Sequence, residues 1–151
     1  MQRRLAAILL VVALAAPVSI LAGSTAAAVR SAPRPCDLPR RDGETIRHLS
    51  RRLISCAVGA FGPVSGGATR AICIAKRESD LVPTASSATG MYLGLYQHAA
   101  AYWPYRYDAY TRASWDLSSS ALSGRSNAIV TIRMVHAMGG WKHAGWPVGS
   151  C

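Results

Sequence analysis

Residues 68–97 read ATRAICIAKRESDLVPTASSATGMYLGLYQ, and the first eleven of them decide what kind of chain this is. Ala71, Ile74 and Ala75 recur at spacings of three and four, the period of one apolar face of an α-helix. Continuing that stripe lands on Glu78, while Arg70, Lys76, Arg77 and Asp80 project elsewhere. The helix is expected over residues 68–81, with Pro83 closing it because the residue before a proline avoids helical angles. A carboxylate at the C-terminal end of an apolar stripe is partly desolvated and faces the negative end of the helix dipole. Both effects favour the neutral acid over its charged form, the condition a proton donor needs near neutral pH. A salt bridge to a nearby arginine is the plainer alternative.

Working outward, Ile46, Leu49, Leu53, Ala57 and Ala60 mark an earlier helix, ended by Gly62-Pro63 and Gly66-Gly67. Residues 84–90 have loop composition. Leu93 to Trp103 is expected to form a short helix and 104–111 an irregular tyrosine-rich connection. Ser126 is expected to cap a helix running to Met138, with Ala128, Ile132, Val135 and Met138 on one side and Gly139-Gly140 as its stop. No two-residue alternation persists long enough to build a sheet. The fold class is mainly α, one compact domain over residues 42–151.

The chain has 151 residues, 50% of them hydrophobic and 16% charged, which excludes a disordered polyelectrolyte. Residues 1–28 have a basic start, an apolar middle from Leu5 to Gly23 and an Ala-rich end, the three parts of a secretory signal peptide with cleavage expected after Ala28. A membrane anchor is the alternative for that run, but Pro17 interrupts it. No Cys follows residues 21–23, so a lipoprotein anchor is not expected, nor any stable membrane anchor once the leader is removed. Cleavage takes two of the seventeen Lys+Arg and none of the seven Asp+Glu, leaving a net charge of +8. Residues 29–41, with three Pro and four Arg, read as an extended basic arm. The four cysteines, Cys36, Cys56, Cys73 and Cys151, all lie outside the leader, and in an exported chain they read as two disulfides with three possible pairings. The expected pairs are Cys36–Cys56, tying the arm to the first helix, and Cys73–Cys151, pinning the chain end onto the helix of Glu78. Their spacing matches no zinc motif, and no metal or cofactor is expected.

From Glu78 onward the sequence runs Glu-Ser-Asp-Leu-Val-Pro-Thr-Ala-Ser-Ser-Ala-Thr-Gly, then Gly94-Leu95-Tyr96-Gln97. This resembles the soluble lytic transglycosylase family of the lysozyme-like superfamily, whose signature is Glu-Ser, an apolar residue, Pro, Ala, Ser, Gly and a closing Gly-Leu-x-Gln. The match covers about twenty residues. One extra residue separates Gly90 from Gly94, and the family's Ala-Tyr-Asn-Ala-Gly segment is replaced by the stretch from Asn127 to Trp146. In this respect the chain looks like small secreted variants of actinobacteria.

The resemblance implies a lysozyme-like α fold, Glu78 as catalytic acid, and a cleft walled by Ser87, Gly94, Tyr96 and Gln97. The implied substrate is the glycan strand of peptidoglycan. All four Trp and six Tyr fall between Tyr92 and Trp146. Flat amphipathic rings suit sugar faces, so Trp141 and Trp146 join the candidate substrate-binding residues beside Tyr92. Trp103 and Trp115 are expected in the core, and His98 is expected to brace a loop. The charge fits attraction to an anionic cell wall, and the chain is expected to act there as a secreted monomer. A hydrolase that used water with Asp108 or Asp116 as a second carboxylate is the nearest alternative. A wall-binding module with a structural Glu78 and a basic secreted ribonuclease are the others. The ribonuclease would rest on an antiparallel sheet, which the helical pattern disfavours, so nucleic acid is not an expected partner.

Overall fold

The computed structural model describes residues 34–151; the expected signal peptide and the first part of the basic arm lie outside the described residues. In chain order the elements are α1 (Ile46–Phe61), α2 (Gly67–Ser79), β1 (Tyr92–Leu93), β2 (His98–Ala99), α3 (Trp103–Tyr110) and α4 (Gly124–Ala137), with single 3-10 turns at 100–102 and 113–115. The domain is mainly α, with one two-stranded sheet. Among the described residues no helix is long and apolar enough to cross a membrane.

α4 is the axis of the fold. Nine of its residues from Ser126 to Val135 are buried, on nearly every side of the helix. α1 and α3 pack directly on it, and α2 packs on α1. Ile129 and Ile132 of α4, Ile54 of α1 and Ile74 of α2 are wholly buried in the same core. Each such side chain contributes about 1.5–3 kcal/mol of transfer free energy. The polar residues of α4 enter the core because each has a partner. The Ser126 hydroxyl donates to Ser118 O at 2.6 Å, and the Thr131 hydroxyl donates to Asn127 O at 2.7 Å. Asn127 accepts from the Tyr96 N–H at 3.0 Å and donates to Ala121 O at 2.9 Å. Satisfied in this way, buried polar groups cost little and fix one arrangement.

Three local expectations are corrected. α4 begins at Gly124, because Ser123 rather than Ser126 is the cap, its hydroxyl accepting from the Ser126 N–H at 3.3 Å. The 93–103 stretch is a hairpin, not a helix: Tyr92 pairs with Ala99 and Leu93 with His98 around a turn at 94–97. Gly94 (φ +81°) and Gln97 (φ +49°) hold left-handed backbone there, which no helix accommodates. Residues 104–111, expected to be irregular, are mostly α3, since Pro104 sits in the first turn of that helix, where its missing N–H costs nothing. The buried face of α1 is also rotated from the expected one. It runs Ser50, Leu53, Ile54 and Ala57, whereas Ile46 and Ala60 are exposed.

The disulfides are Cys36–Cys56 and Cys73–Cys151, the pairs expected from sequence, each with Cα atoms 5.7 Å apart. Residues 34–41 form no helix or strand but are tied down. Arg34 pairs with Asp116, Arg125 donates to Pro35 O, and Arg52 pairs with Glu44 just before α1.

Candidate active site

α2 ends at Ser79 because Asp80 (φ +52°) and Leu81 (φ +63°) turn left-handed immediately after it. Glu78 therefore lies in the last helical turn, at the mouth of a cleft of about 440 Å³. Tyr92 and Gln97 of the hairpin line the cleft together with Gly145, Trp146 and Pro147. Glu78 is the one residue of this lining that carries a carboxyl group.

The Glu78 side chain is 25% exposed and has a partner that the helical projection assigned elsewhere. Neighbours on a helix point about 100° apart, but the long arm of Arg77 folds back over that gap. Its Nη2 and Nε donate to Glu78 Oε1 at 3.0 and 3.3 Å. Nη2 also donates to Pro147 O at 2.7 Å. One guanidinium thus bridges the Glu78 carboxylate and the backbone at the Pro147 edge of the cleft. Among the described residues Oε2 has no hydrogen-bond partner, so one carboxyl oxygen is left to a ligand. The salt bridge to a nearby arginine, the plainer alternative for this residue, is therefore present, and it still leaves one carboxyl oxygen open to the cleft.

Below Glu78, the Ser79 hydroxyl lies 2.9 Å from Leu95 O and so links the helix to the hairpin turn. Gln97 lines the cleft, but its amide donates back to Gly94 O at 2.9 Å and Ala85 O at 3.3 Å, holding turn and loop together. Ser87, expected in the wall, instead closes the loop: its hydroxyl accepts from the Tyr92 N–H at 3.1 Å and its own N–H donates to Tyr92 O. Gly94 has a packing reason for being glycine. A Cβ there would stand 2.2 Å from Asn127 Nδ2 and 2.3 Å from Ala121 O.

The aromatic candidates divide. Tyr96 is wholly buried and donates its hydroxyl to Ala71 O, and Trp141 is 1% exposed with its indole N–H on Ser65 O. Neither ring reaches the cleft, so both expectations are corrected: the two stack on each other in the core, 5.9 Å between ring centroids. Trp146 donates its N–H to Tyr96 O and is 5% exposed, but that edge lines the cleft. Tyr92, 46% exposed, is the ring most available to a ligand. Trp103 and Trp115 are core residues, as expected.

Asp80 pairs with Arg47 and Asp116 with Arg34; Asp108 lies exposed on α3 rather than in the loop expected for it. None of the three lines the cleft. His98 braces the hairpin from within. It is wholly buried, and burial, with a smaller contribution from the Arg106 charge, pushes its pKa down to about 3.

The cleft continues past Tyr92, Gln97, Gly145 and Trp146 to Tyr102 and Arg106, then into a recess of about 480 Å³ beside α3 and α4. The sequence reading missed this extension. Its signal was present: Tyr102, Tyr105, Arg106 and Tyr110 are spaced as one helical face, legible only once residues 104–111 are taken as a helix. Compared with family models, with curated proteins and with solved structures, the chain gives no match.

Proposed function

We propose that this protein is a secreted enzyme that cleaves the glycan strand of peptidoglycan at the MurNAc–GlcNAc bond, acting as a lytic transglycosylase. The observation that carries the reading is Glu78: a lone carboxylate at a groove mouth, with one oxygen fixed by Arg77 and the other open. The resemblance of residues 78–97 to that family's signature supports it, as does a pair of disulfides of the kind that persists in an oxidising compartment.

In this mechanism Glu78 as the neutral acid protonates the leaving glycosidic oxygen while positive charge develops on the sugar, assisted by the substrate's own N-acetyl group. As a carboxylate it then takes the proton of the 6-hydroxyl, which closes on the anomeric carbon to give a 1,6-anhydro end. No water is consumed, and the proton count on Glu78 returns to its start. A positioned internal hydroxyl has an effective molarity of about 10⁵ M or more, so it outcompetes water without a residue to hold the water. An inverting hydrolase instead needs a second carboxylate about 6.5–9.5 Å from the first, facing an intervening water. The cleft lining contains no such group, and Asp108 and Asp116 are placed outside it. This observation favours the transglycosylase over the hydrolase.

The test is incubation with purified peptidoglycan followed by mass spectrometry of the products. Anhydro ends, lighter by one water than reducing ends, are expected. Glu78→Gln keeps the shape and removes the proton, and the rate should fall about 10²–10⁴-fold with wall binding retained. Products dominated by reducing ends, or a variant keeping more than about a tenth of the activity, would reject this mechanism.

A further inference from the structure

Arg106 stands where the cleft opens into the recess, lining both. It is held there by a buried relay. The Thr131 hydroxyl gives its proton to Asn127 O, so at 2.7 Å from His98 Nε2 it accepts that ring's N–H. The other ring nitrogen, Nδ1, then carries a lone pair and accepts from Arg106 Nη1 at 2.9 Å. The imidazole is wholly enclosed, with Trp103 and Trp146 edge-on to it, both with ring centroids 5.1 Å away. A chain of three hydrogen bonds running from the central helix, two buried and the last part-buried, thus uses one N–H of the guanidinium and fixes its direction. Tyr102 lies beside it, its ring centroid 5.8 Å from Cζ.

The remaining donors of Arg106 have no partner of opposite charge. Among the described residues no carboxylate lies within salt-bridge distance of it, and no Asp or Glu lines either the connecting cleft or the recess. Desolvation by burial holds its pKa below the ordinary guanidinium range. A partly desolvated, pre-aimed and unpaired guanidinium is what recognition of a planar anion requires. The recess next to it has mostly apolar walls, including Tyr105, Tyr110 and Met138, with His143 at its edge. An anion with a small apolar body fills such a space, whereas a polyol phosphate would leave those walls against hydroxyls.

We propose that Arg106 and the adjoining recess bind the terminal carboxylate of a short peptide with small apolar side chains, carried as a substituent on the polymer lying in the cleft. This rests on the reading of the polymer as peptidoglycan, whose glycan bears peptides ending in alanine. Recognition of the peptide would select which stretches of strand are brought to Glu78, making Arg106 a specificity-determining residue rather than a catalytic one.

Titration of the intact protein with diacetyl-lysyl-D-alanyl-D-alanine as free acid and as C-terminal amide, read by calorimetry and by the ¹⁵N signal of Arg106 Nε, tests the site apart from any cleavage. A carboxylate–guanidinium bond predicts that the acid binds about 10-fold or more tighter than the amide. In Arg106→Gln that preference should vanish, and Arg106→Lys, keeping charge without the fork, should retain part of it. In parallel, kcat/KM for strands carrying peptides relative to strands stripped by an amidase should fall about 10-fold in Arg106→Gln. Equal binding of acid and amide overturns the proposal, as does a preference that survives Arg106→Gln, or tighter binding of poly(glycerol phosphate) than of the peptide acid. If no strand is cleaved at all, the function proposed for Glu78 fails, while the peptide titration still decides the role of Arg106.

Discussion

Taking the solution from pH 7 to pH 5 should cost the fold about 2 kcal/mol through His98 alone, as follows from its burial. In the unfolded chain the imidazole gains its proton near pH 6.5; in the folded chain it does so only near 3, because desolvation, and secondarily Arg106, oppose the charge. Protons therefore bind the unfolded state first, so the contribution is complete above pH 6.5 and is lost progressively as pH falls towards 3. At pH 5 the unfolded imidazole is about thirtyfold more protonated than neutral and the native one is almost wholly neutral, which is about 2 kcal/mol at 1.36 kcal/mol per pH unit. Glu44 and Asp116 are held below the ordinary carboxylate range, Glu44 chiefly by the Arg41 N–H and Asp116 chiefly by Arg34. Their losses come at more acid pH and leave this window mostly to His98. Urea unfolding at pH 7, 6 and 5 measures the slope, and His98→Gln supplies the control. The amide can still accept from Arg106 and donate to Thr131 but cannot titrate, and the other histidines cancel between the two proteins. The wild type should lose about 2 kcal/mol more than the variant between pH 7 and 5. Parallel profiles, agreeing within about 0.5 kcal/mol, would refute a neutral buried His98.

Two further outcomes follow from the packing. Cys73→Ala should lower unfolding free energy by about 4.5 kcal/mol, the loop-entropy value for a closure of 78 residues, and more than Cys36→Ala, whose 20-residue closure gives about 3.3 kcal/mol; chemical denaturation of both variants gives the order, and an inverted order would count against it. Gly94→Ala should cost about 3 kcal/mol or more, because left-handed backbone and a Cβ 2.2 Å from the Asn127 amide act together; a melting temperature within a degree or two of the wild type would show that the turn yields easily.

The three long helices were legible because burial leaves a period of three to four, and α2 kept the face read from Ala71, Ile74 and Ala75. α1 shows where that signal fails. Ser50 is buried although polar, since its hydroxyl is satisfied by Ile46 O at 2.9 Å, so counting apolar residues rotates the face. The hairpin was hidden because its turn needs a positive φ at Gln97, a residue with no composition cue for it. Residues 104–111 open on a proline, which interrupts a helix interior but fits a first turn, so their composition does not reveal α3. In the site, a partly buried Glu78 followed from helical phase and a salt bridge to a nearby arginine stood as the alternative, but which arginine was not legible: Arg77 reaches it through side-chain length, which a projection ignores. The sorting of rings was not legible either. Tyr96 and Trp141 use their polar tips on core carbonyls, and the same amphipathic chemistry would serve a sugar.

The path from Cys73 to Glu78 has a mechanical consequence. Cys73 holds the last residue of the chain covalently, and Arg77, one helical turn further on, holds Pro147 O and Val148 O. The segment 147–151 is thus riveted to α2 at both ends, and Glu78 shares the second rivet. Glu78 and the Pro147 edge of its groove therefore belong to one splinted piece, tied by a disulfide at one end and by a shared guanidinium at the other. Cutting either tie should loosen the other: with Cys151 released, Arg77 alone would hold this segment against α2, and the carboxyl group sharing that guanidinium would lose a fixed neighbour.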